Sequence, residues 1–189
     1  LSDARQQRQP AYRAQDAQVS KPLSQGVFML DTFATADLYD EHGEACQSCE
    51  TQFIQYGGRR VFGGRIRTVR CLGDNALVRE TLNTPSDGEV LVIDGGGSMA
   101  SALMGDLIAA AGQRNGWAGA VILGPVRDTG ALAQMDFGVK ALGSNPRKSA
   151  KAGAGQVDVP VVFGGVVFTP GAWLYSDDDG ILVADKPLH

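Results

Sequence analysis

Two short pairs of residues carry the types needed for acid–base and anion chemistry: Gly105-Asp106 and, after twenty intervening residues, Arg127-Asp128. An arginine is a permanent planar cation suited to a carboxylate. Asp106 could accept a proton, directly or through water. Each also has a plainer role, since Arg127-Asp128 could be a surface ion pair and Asp106 a helix N-cap. Their positions in the chain favour a site. Gly119 to Gly124 (GAVILG) reads as an apolar strand ending in Pro125-Val126-Arg127-Asp128, and ligands of α/β sheets sit beyond the carboxyl ends of strands. Asp106 to Gln113 reads as a helix with Gly105 or Asp106 at its start and Leu107, Ile108 and Ala111 on one side. The unsatisfied N–H groups of its first turn can receive a carboxylate.

Other clusters have simpler explanations. His42, Cys46 and Cys49 are spaced H-x3-C-x2-C, but a structural zinc site wants four ligands and only Cys71 or His189 could complete this one, so ordinary thiols account for the three cysteines. Gly95-Gly96-Gly97-Ser98 follows an apolar strand without the G-x-G-x-x-G spacing that opens a helix, which fits a tight turn better than a dinucleotide or adenosylmethionine site. Ser176-Asp177-Asp178-Asp179-Gly180 lacks the spacing and distal Glu of a calcium loop and reads as a charged turn. The basic run Asn145-Pro146-Arg147-Lys148-Ser149-Ala150-Lys151 could contact an anion, although most such runs are solvated.

The elements that must position these residues are short apolar runs separated by glycine-rich turns, with helical stretches between them, the pattern of an α/β domain. Phe33 to Tyr39 looks helical, with Thr32 or Thr35 as caps. Gly64 to Cys71 has the period of a strand whose Arg65, Arg67 and Arg70 form a wet face. Asn75 to Leu82 is helical, Glu89 to Asp94 (EVLVID) is a buried strand, and Val139 to Leu142 continues the alternation. Val157 to Phe163 and Gly165 to Phe168 read as paired strands around Gly164-Gly165, and Ile181 to Ala184 as a last strand. Residues 1–26 are polar and cannot enclose a core, so they read as an arm or disordered tail, with wrapping of a neighbouring subunit as the functional alternative. Residues 27–189 then form one domain.

The chain has 189 residues, 43% of them apolar, 20% charged, with a formal net charge of −4. That length can enclose a sizeable core. The negative field gives no general attraction to nucleic acid. No stretch approaches the length of a transmembrane helix, and the N-terminus lacks the pattern of a signal peptide, so a cytoplasmic protein is expected.

Taken in order, Thr35-Ala36-Asp37-Leu38-Tyr39-Asp40, Phe62-Gly63-Gly64, Asp74-Asn75, Val92 to Ser98, Asn115-Gly116-Trp117, Val126-Arg127-Asp128 and Tyr175 to Ile181 resemble the family of regulators of ribonuclease activity A and 4-hydroxy-4-methyl-2-oxoglutarate aldolases. The Gly105-Asp106 and Arg127-Asp128 spacing is similar to that of the aldolase branch. The resemblance implies a swivelling β/β/α domain assembled as a homotrimer, often paired into hexamers. It implies lyase activity that releases pyruvate from 4-hydroxy-4-methyl-2-oxoglutarate or a related 4-hydroxy-2-oxo acid, with oxaloacetate decarboxylation as a companion reaction. By the same resemblance the backbone of Gly105, Asp106, Leu107 and Ile108 and the Arg127 side chain hold the substrate, and Asp128 anchors Mg2+ or Mn2+. Mg2+ keeps several waters and needs only one or two protein carboxylates, so a lone aspartate ligand suffices. Two rivals follow from the same resemblance: a non-catalytic regulator that binds a ribonuclease, and a methyltransferase of menaquinone synthesis, for which no adenosylmethionine motif is present.

Overall fold

The computed structural model describes residues 32–188; the expected polar arm over residues 1–26 lies outside them. In chain order, helix α1 (Thr35–His42) leads through a 3-10 turn to strands β1 (Cys46–Ser48) and β2 (Ile54–Gln55), then to β3 (Phe62–Arg70). Next come α2 (Ala76–Leu82), β4 (Val90–Asp94), α3 (Asp106–Arg114), β5 (Gly119–Val126), α4 (Thr129–Leu132) and β6 (Gly138–Ser144). The chain ends with β7 (Gln156–Val157), β8 (Val161–Phe163), β9 (Val166–Phe168), β10 (Trp173–Ser176) and β11 (Ile181–Ala184).

The expected α/β domain is present, with a parallel unit at its centre. Strands β3, β4, β5 and β6 pair in parallel in that order, linked by α2, α3 and α4. β4 and β5, buried on both faces, read as apolar runs in the sequence, whereas β3 carries Arg65, Arg67 and Arg70 and β6 carries Lys140. Val90 and Val92 pack with Phe62, Ile66, Val121 and Phe168 on one side, whereas Leu91 and Ile93 pack with Val78, Leu82, Ala109 and Phe137 on the helical side. This alternation along one strand separates the layers, as period-two side-chain direction requires.

Strand β3 belongs to two sheets. Its first half, Phe62 to Arg65, pairs antiparallel with β10, which continues to β11 and β1. Its second half, Ile66 to Arg70, pairs with β4 and, through Val69 and Arg70, with β7. Backbones approach closely at Gly64, where a Cβ would lie 2.0 Å from the Gly88 carbonyl oxygen, so no larger residue fits without moving the chain. The hairpin of β8 and β9 turns on Gly164 and Gly165, both at positive φ (59° and 74°), as a two-residue turn of that hand demands.

Several expectations change in detail. The strand predicted over Val157 to Phe163 divides into β7 and β8, because Asp158 has φ 54° and Pro160 cannot donate to a ladder. Neither Thr32 nor Thr35 caps α1: Ala34 occupies the N-cap, and Thr35 instead donates through its N–H and hydroxyl to Asp177, each at 2.6 Å. The arginine face of β3 is paired rather than merely wet. Arg67 forms a bidentate contact with Asp158 at 2.7 and 2.8 Å, Arg70 meets Asp94, and Arg65 lies over the Trp173 ring. On α3, Leu107 is 79% exposed and leaves the expected apolar side, whereas Ala111 is buried and Ile108 packs on the core, joined by Ala109 and Gly112. No helix among the described residues is long and apolar enough to cross a membrane.

Candidate active site

The carboxyl end of β5 is reshaped by Pro125. Pairing with β6 shifts register between Ile122 and Pro125, since proline brings no N–H to the ladder. Its carbonyl turns to a new partner, accepting from Leu103 N–H at 2.9 Å, while Arg127 N–H donates to Met104 O at 3.0 Å. The segment from Ala102 to Met104 is thereby laid alongside the end of β5 like an extra parallel strand. On its other side it is held by the basic loop: Ala102 bridges Lys148, Ala102 N–H donates to Arg147 O, and Ser149 Oγ donates to Ala102 O at 2.7 Å. Gly105 follows directly and is the N-cap of α3.

Here the two sequence pairs meet. A Cβ on Gly105 would stand 2.5 Å from Asp128 Oδ2 and 3.2 Å from Arg127 Nε. Only glycine allows the helix start to approach the arginine and aspartate so closely. Arg127 Nε lies 3.2 Å from Asp128 Oδ2, with the two side chains 29% and 36% exposed. Asp128 has φ 56° and ψ 37°, the left-handed region, which costs a side-chain-bearing residue about 1–2 kcal/mol. Strain of this kind gathers where geometry is held for use.

Gly105, Asp106, Leu107, Ile108, Arg127 and Asp128 all line one pocket of about 220 Å³. The exposed Leu107 is one of its walls. Asp106 Oδ1 accepts from the Leu107 N–H at 2.7 Å, leaving its other oxygen facing no donor among the described residues. The pocket also takes in Asn75, Arg79, Ala102 and Met104, which the sequence did not single out as site residues, and Lys148, Ser149 and Lys151 of the basic run that could contact an anion. Asn75 Oδ1 is buried there without a hydrogen-bond partner. Asp74-Asn75 carries part of the resemblance but no site role, and no local signal marks Arg79, because α2 is brought to the pocket by contacts distant in sequence. Chief among these is Asp74, whose carboxylate accepts from Ala76 N–H at 2.9 Å, Ala152 N–H at 2.6 Å and Gly153 N–H at 3.1 Å. The Ala76 hydrogen bond, followed by those from the 152–153 backbone, lowers the pKa of Asp74 against the opposing effect of burial.

As a metal site the pocket offers two carboxylates, Asp106 and Asp128, and no cluster of three or more His, Cys, Asp or Glu exists among the described residues. That donor set fits a hydrated hard cation held at one carboxylate and not a zinc cage. Cys46, Cys49 and Cys71 are free and buried; burial pushes the Cys71 thiol up to about 12, so it stays protonated and inert. The glycine turn uses its own donors internally. Gly96 N–H binds Asp94 Oδ1 and Gly97 N–H binds Leu123 O, with φ of 65° and 70°. The Asp177 turn likewise serves the fold, taking Thr35, Asp179 and Gly180 as donors.

Comparison with known proteins agrees with this architecture. The chain is 48% identical to a structure described as S-adenosylmethionine: 2-dimethylmenaquinone methyltransferase from Geobacillus kaustophilus, covering 82% of this chain and 97% of that one with a TM-score of 0.81. It is 44% identical to the RNA-processing inhibitor RraA from Thermus thermophilis, over 82% and 94% of the two chains, with a TM-score of 0.80. Streptomyces coelicolor RraAS2, described as an unusual member of the RNase ES inhibitor RraA family, matches at 26% identity over 82% and 81%, with a TM-score of 0.66. The family model described as RraA-like, Aldolase/RraA, matches residues 35–183, and with the β/β/α layering and the pocket between α3 and β5 in place, the chain belongs to that family.

Proposed function

We propose that the pocket cleaves 4-hydroxy-4-methyl-2-oxoglutarate, or a related 4-hydroxy-2-oxo acid, to pyruvate in a divalent-metal-dependent retro-aldol reaction, and decarboxylates oxaloacetate as a side activity. The observation that carries this reading is the junction at Gly105, where the absence of a Cβ lets the start of α3 abut both Arg127 and Asp128. A bound Mg2+ or Mn2+ would be held by Asp128 and would supply Lewis-acid polarisation of the 2-oxo group.

The protein groups then have separable tasks. Arg127, fixed by its backbone bond to Met104, offers its guanidinium to the substrate carboxylate and to the enolate charge that appears when the C3–C4 bond breaks. The N–H groups of Gly105, Asp106 and Ile108 at the opening of α3 favour the same negative charge, that of Leu107 being taken by Asp106 Oδ1. Asp106, with one oxygen engaged by the Leu107 N–H, accepts the C4 hydroxyl proton directly or through water as that bond breaks and the C4 carbonyl forms. Decarboxylation of oxaloacetate yields the same enolate and so needs the same cationic surroundings.

The test is pyruvate release from the hydroxy-oxo acid with and without Mg2+, in the native protein and in Asp128→Asn. Release that requires metal and Asp128 supports the reading. Equal, negligible rates in every condition favour the second reading, a ribonuclease-binding regulator, which the 44% identical RNA-processing inhibitor supports. Methyl transfer is the function named for the 48% identical relative; the internally satisfied glycine turn argues against adenosylmethionine binding here, and calorimetry with that cofactor checks it.

A further inference from the structure

The segment that delivers Gly105 to Arg127 and Asp128 is tied down at two points by one short stretch of the basic run. Met99 O accepts from Asn145 Nδ2 at 2.8 Å, and Ala102 N–H donates to Arg147 O at 2.8 Å. The two ties share a turn. Asn145 Oδ1 accepts from Arg147 N–H at 2.9 Å, an Asx-turn across Pro146, which has no N–H of its own. Asn145 N–H donates in turn to Val126 O at 2.9 Å, directly before Arg127. Hydrogen bonds from one residue thus reach the exit of the glycine turn, the basic run and the end of β5.

The glycine turn does not fix that exit by itself. Gly96 and Gly97 sit at positive φ, 65° and 70°, and glycine leaves many onward paths open. The segment must nevertheless land accurately, because a Cβ at Gly105 would already be 2.5 Å from Asp128 Oδ2. Met99 is where the path is first held. Its side chain lies over β6, where a Cβ at Gly143 would stand 2.7 Å from its Cε, and its carbonyl is taken by the Asn145 amide. Asn145 is not part of the pocket lining, so it acts through these neighbours. A displacement of about 1 Å in this segment would carry Asp106 and the opening of α3 out of line with Arg127 and Asp128, a misplacement to which rates are sensitive.

We propose that Asn145 is a positioning residue for the pocket: through Met99 it sets the path from the glycine turn to Gly105, and with it the alignment of Asp106 and the α3 N–H groups on Arg127 and Asp128. The inference rests on the retro-aldol reading for the reaction that it serves, but the link itself is measurable without turnover. The position calls for an amide. Nδ2 donates to one carbonyl while Oδ1 accepts from one N–H, and a carboxylate performs only the second task.

The experiment compares the full native chain with Asn145→Asp and Asn145→Ser. Both variants keep an acceptor for Arg147 N–H, but the first offers Met99 O a second acceptor and the second is too short to reach it. Amide exchange at Ala102 and Leu103 is expected to quicken about five- to tenfold in both. With Mg2+ and the hydroxy-oxo acid, kcat should fall about tenfold while KM stays within about twofold, and Tm should move by no more than about 2 °C. A contact of structural value only would lower Tm and leave kcat per folded molecule at the native level, and that result overturns the proposal. A loss confined to Asn145→Asp and relieved by salt also overturns it, since the added charge would then be the cause. Exchange unchanged in both variants does the same, because the link then holds nothing in place. Native protein that releases no pyruvate sinks the retro-aldol reading instead, and the exchange rates alone then decide whether Asn145 holds the approach to Gly105.

Discussion

Asp128 and Asp177 are both aspartates at the end of a β-strand, and their surroundings are opposite. Asp177, 7% exposed, accepts four hydrogen bonds: two from Thr35, at 2.6 Å each, and one each from Asp179 N–H at 3.0 Å and Gly180 N–H at 3.3 Å. Its backbone is not in the left-handed region. Asp128 is strained at φ 56°, faces a cavity, and among the described residues its carboxylate pairs only with the guanidinium of its own neighbour. A carboxylate whose lone pairs are all taken by the fold is a structural tie. One held at a conformational cost, with oxygen left open to a pocket, is available for a ligand. Substituting each should therefore damage different properties.

The largest expected effect is on chemistry. Asp128→Asn keeps the side-chain shape and tolerates the left-handed backbone, yet loses the charge that holds a cation. On the proposed mechanism kcat falls by roughly a thousandfold, while stability changes by no more than about 0.5 kcal/mol. Steady-state pyruvate release and a thermal melt on the same sample check both halves. A variant that unfolds without losing specific activity erases the contrast with Asp177.

Asp177→Ala should do the reverse. Removing the acceptor leaves the Thr35 hydroxyl and three backbone N–H groups with fewer partners, a loss of about 3 kcal/mol when buried donors are stranded, or roughly 6–12 °C in Tm for a domain of this size. Calorimetric melting measures the loss. The folded fraction should retain kcat, because Asp177 is not part of the pocket lining.

The same contrast explains what could be read in the sequence. EVLVID and GAVILG were legible because strands buried on both faces are apolar throughout, and the Gly164-Gly165 hairpin because only glycine accepts its turn so readily. Strands β1, β2 and β7 were not, being two or three residues long with polar members such as Gln47, Gln55 and Gln156. Helix α4 is a single turn, too short to show a period. Leu107, Ile108 and Ala111 were read as sharing one side, yet only Ile108 and Ala111 meet the core, because helical spacing fixes which residues share a side but not where cover ends. Gly105, Asp106, Arg127 and Asp128 stood out by type and spacing, whereas the strain at Asp128 has no residue pattern. Arg79 was invisible for another reason: its place beside Lys151 depends on Asp74 binding Ala152, 78 residues away.

A smaller effect sharpens the geometry around Asp128. Gly105→Ala inserts a methyl 2.5 Å from its Oδ2, so either that carboxylate or the start of α3 must yield. Gly105 is at φ −139°, where alanine is unstrained, and the cost therefore falls on the site and not on the backbone. A misplacement of this size should lower kcat/KM by roughly ten- to a hundredfold, with Tm moved by only about 2 °C. Unchanged kinetics would mean the close approach has no catalytic value.

The smallest effect is the one written in pH. Burial alone would raise Asp177, but the Thr35 hydroxyl and N–H, helped by Asp179 and Gly180, hold it below the ordinary carboxylate range; Asp74 is lowered by the Ala76 N–H and the 152–153 backbone. A carboxyl depressed in the folded state binds fewer protons there than in the unfolded chain, where its pKa is about 3.9. Its stabilising contribution is therefore complete above that value and is lost as pH falls through the lower folded values. Melts taken downward from pH 6 should show Tm holding and then falling below about pH 4. In Asp177→Ala the fall should be shallower, because one of the three depressed carboxyls is gone and only Asp74 and Asp136, the latter held down by Arg59, supply this part of the slope. An identical slope in the variant would show that the four donors around Asp177 do not favour its ionised form, and the distinction drawn between the two aspartates would rest on strain and cavity alone.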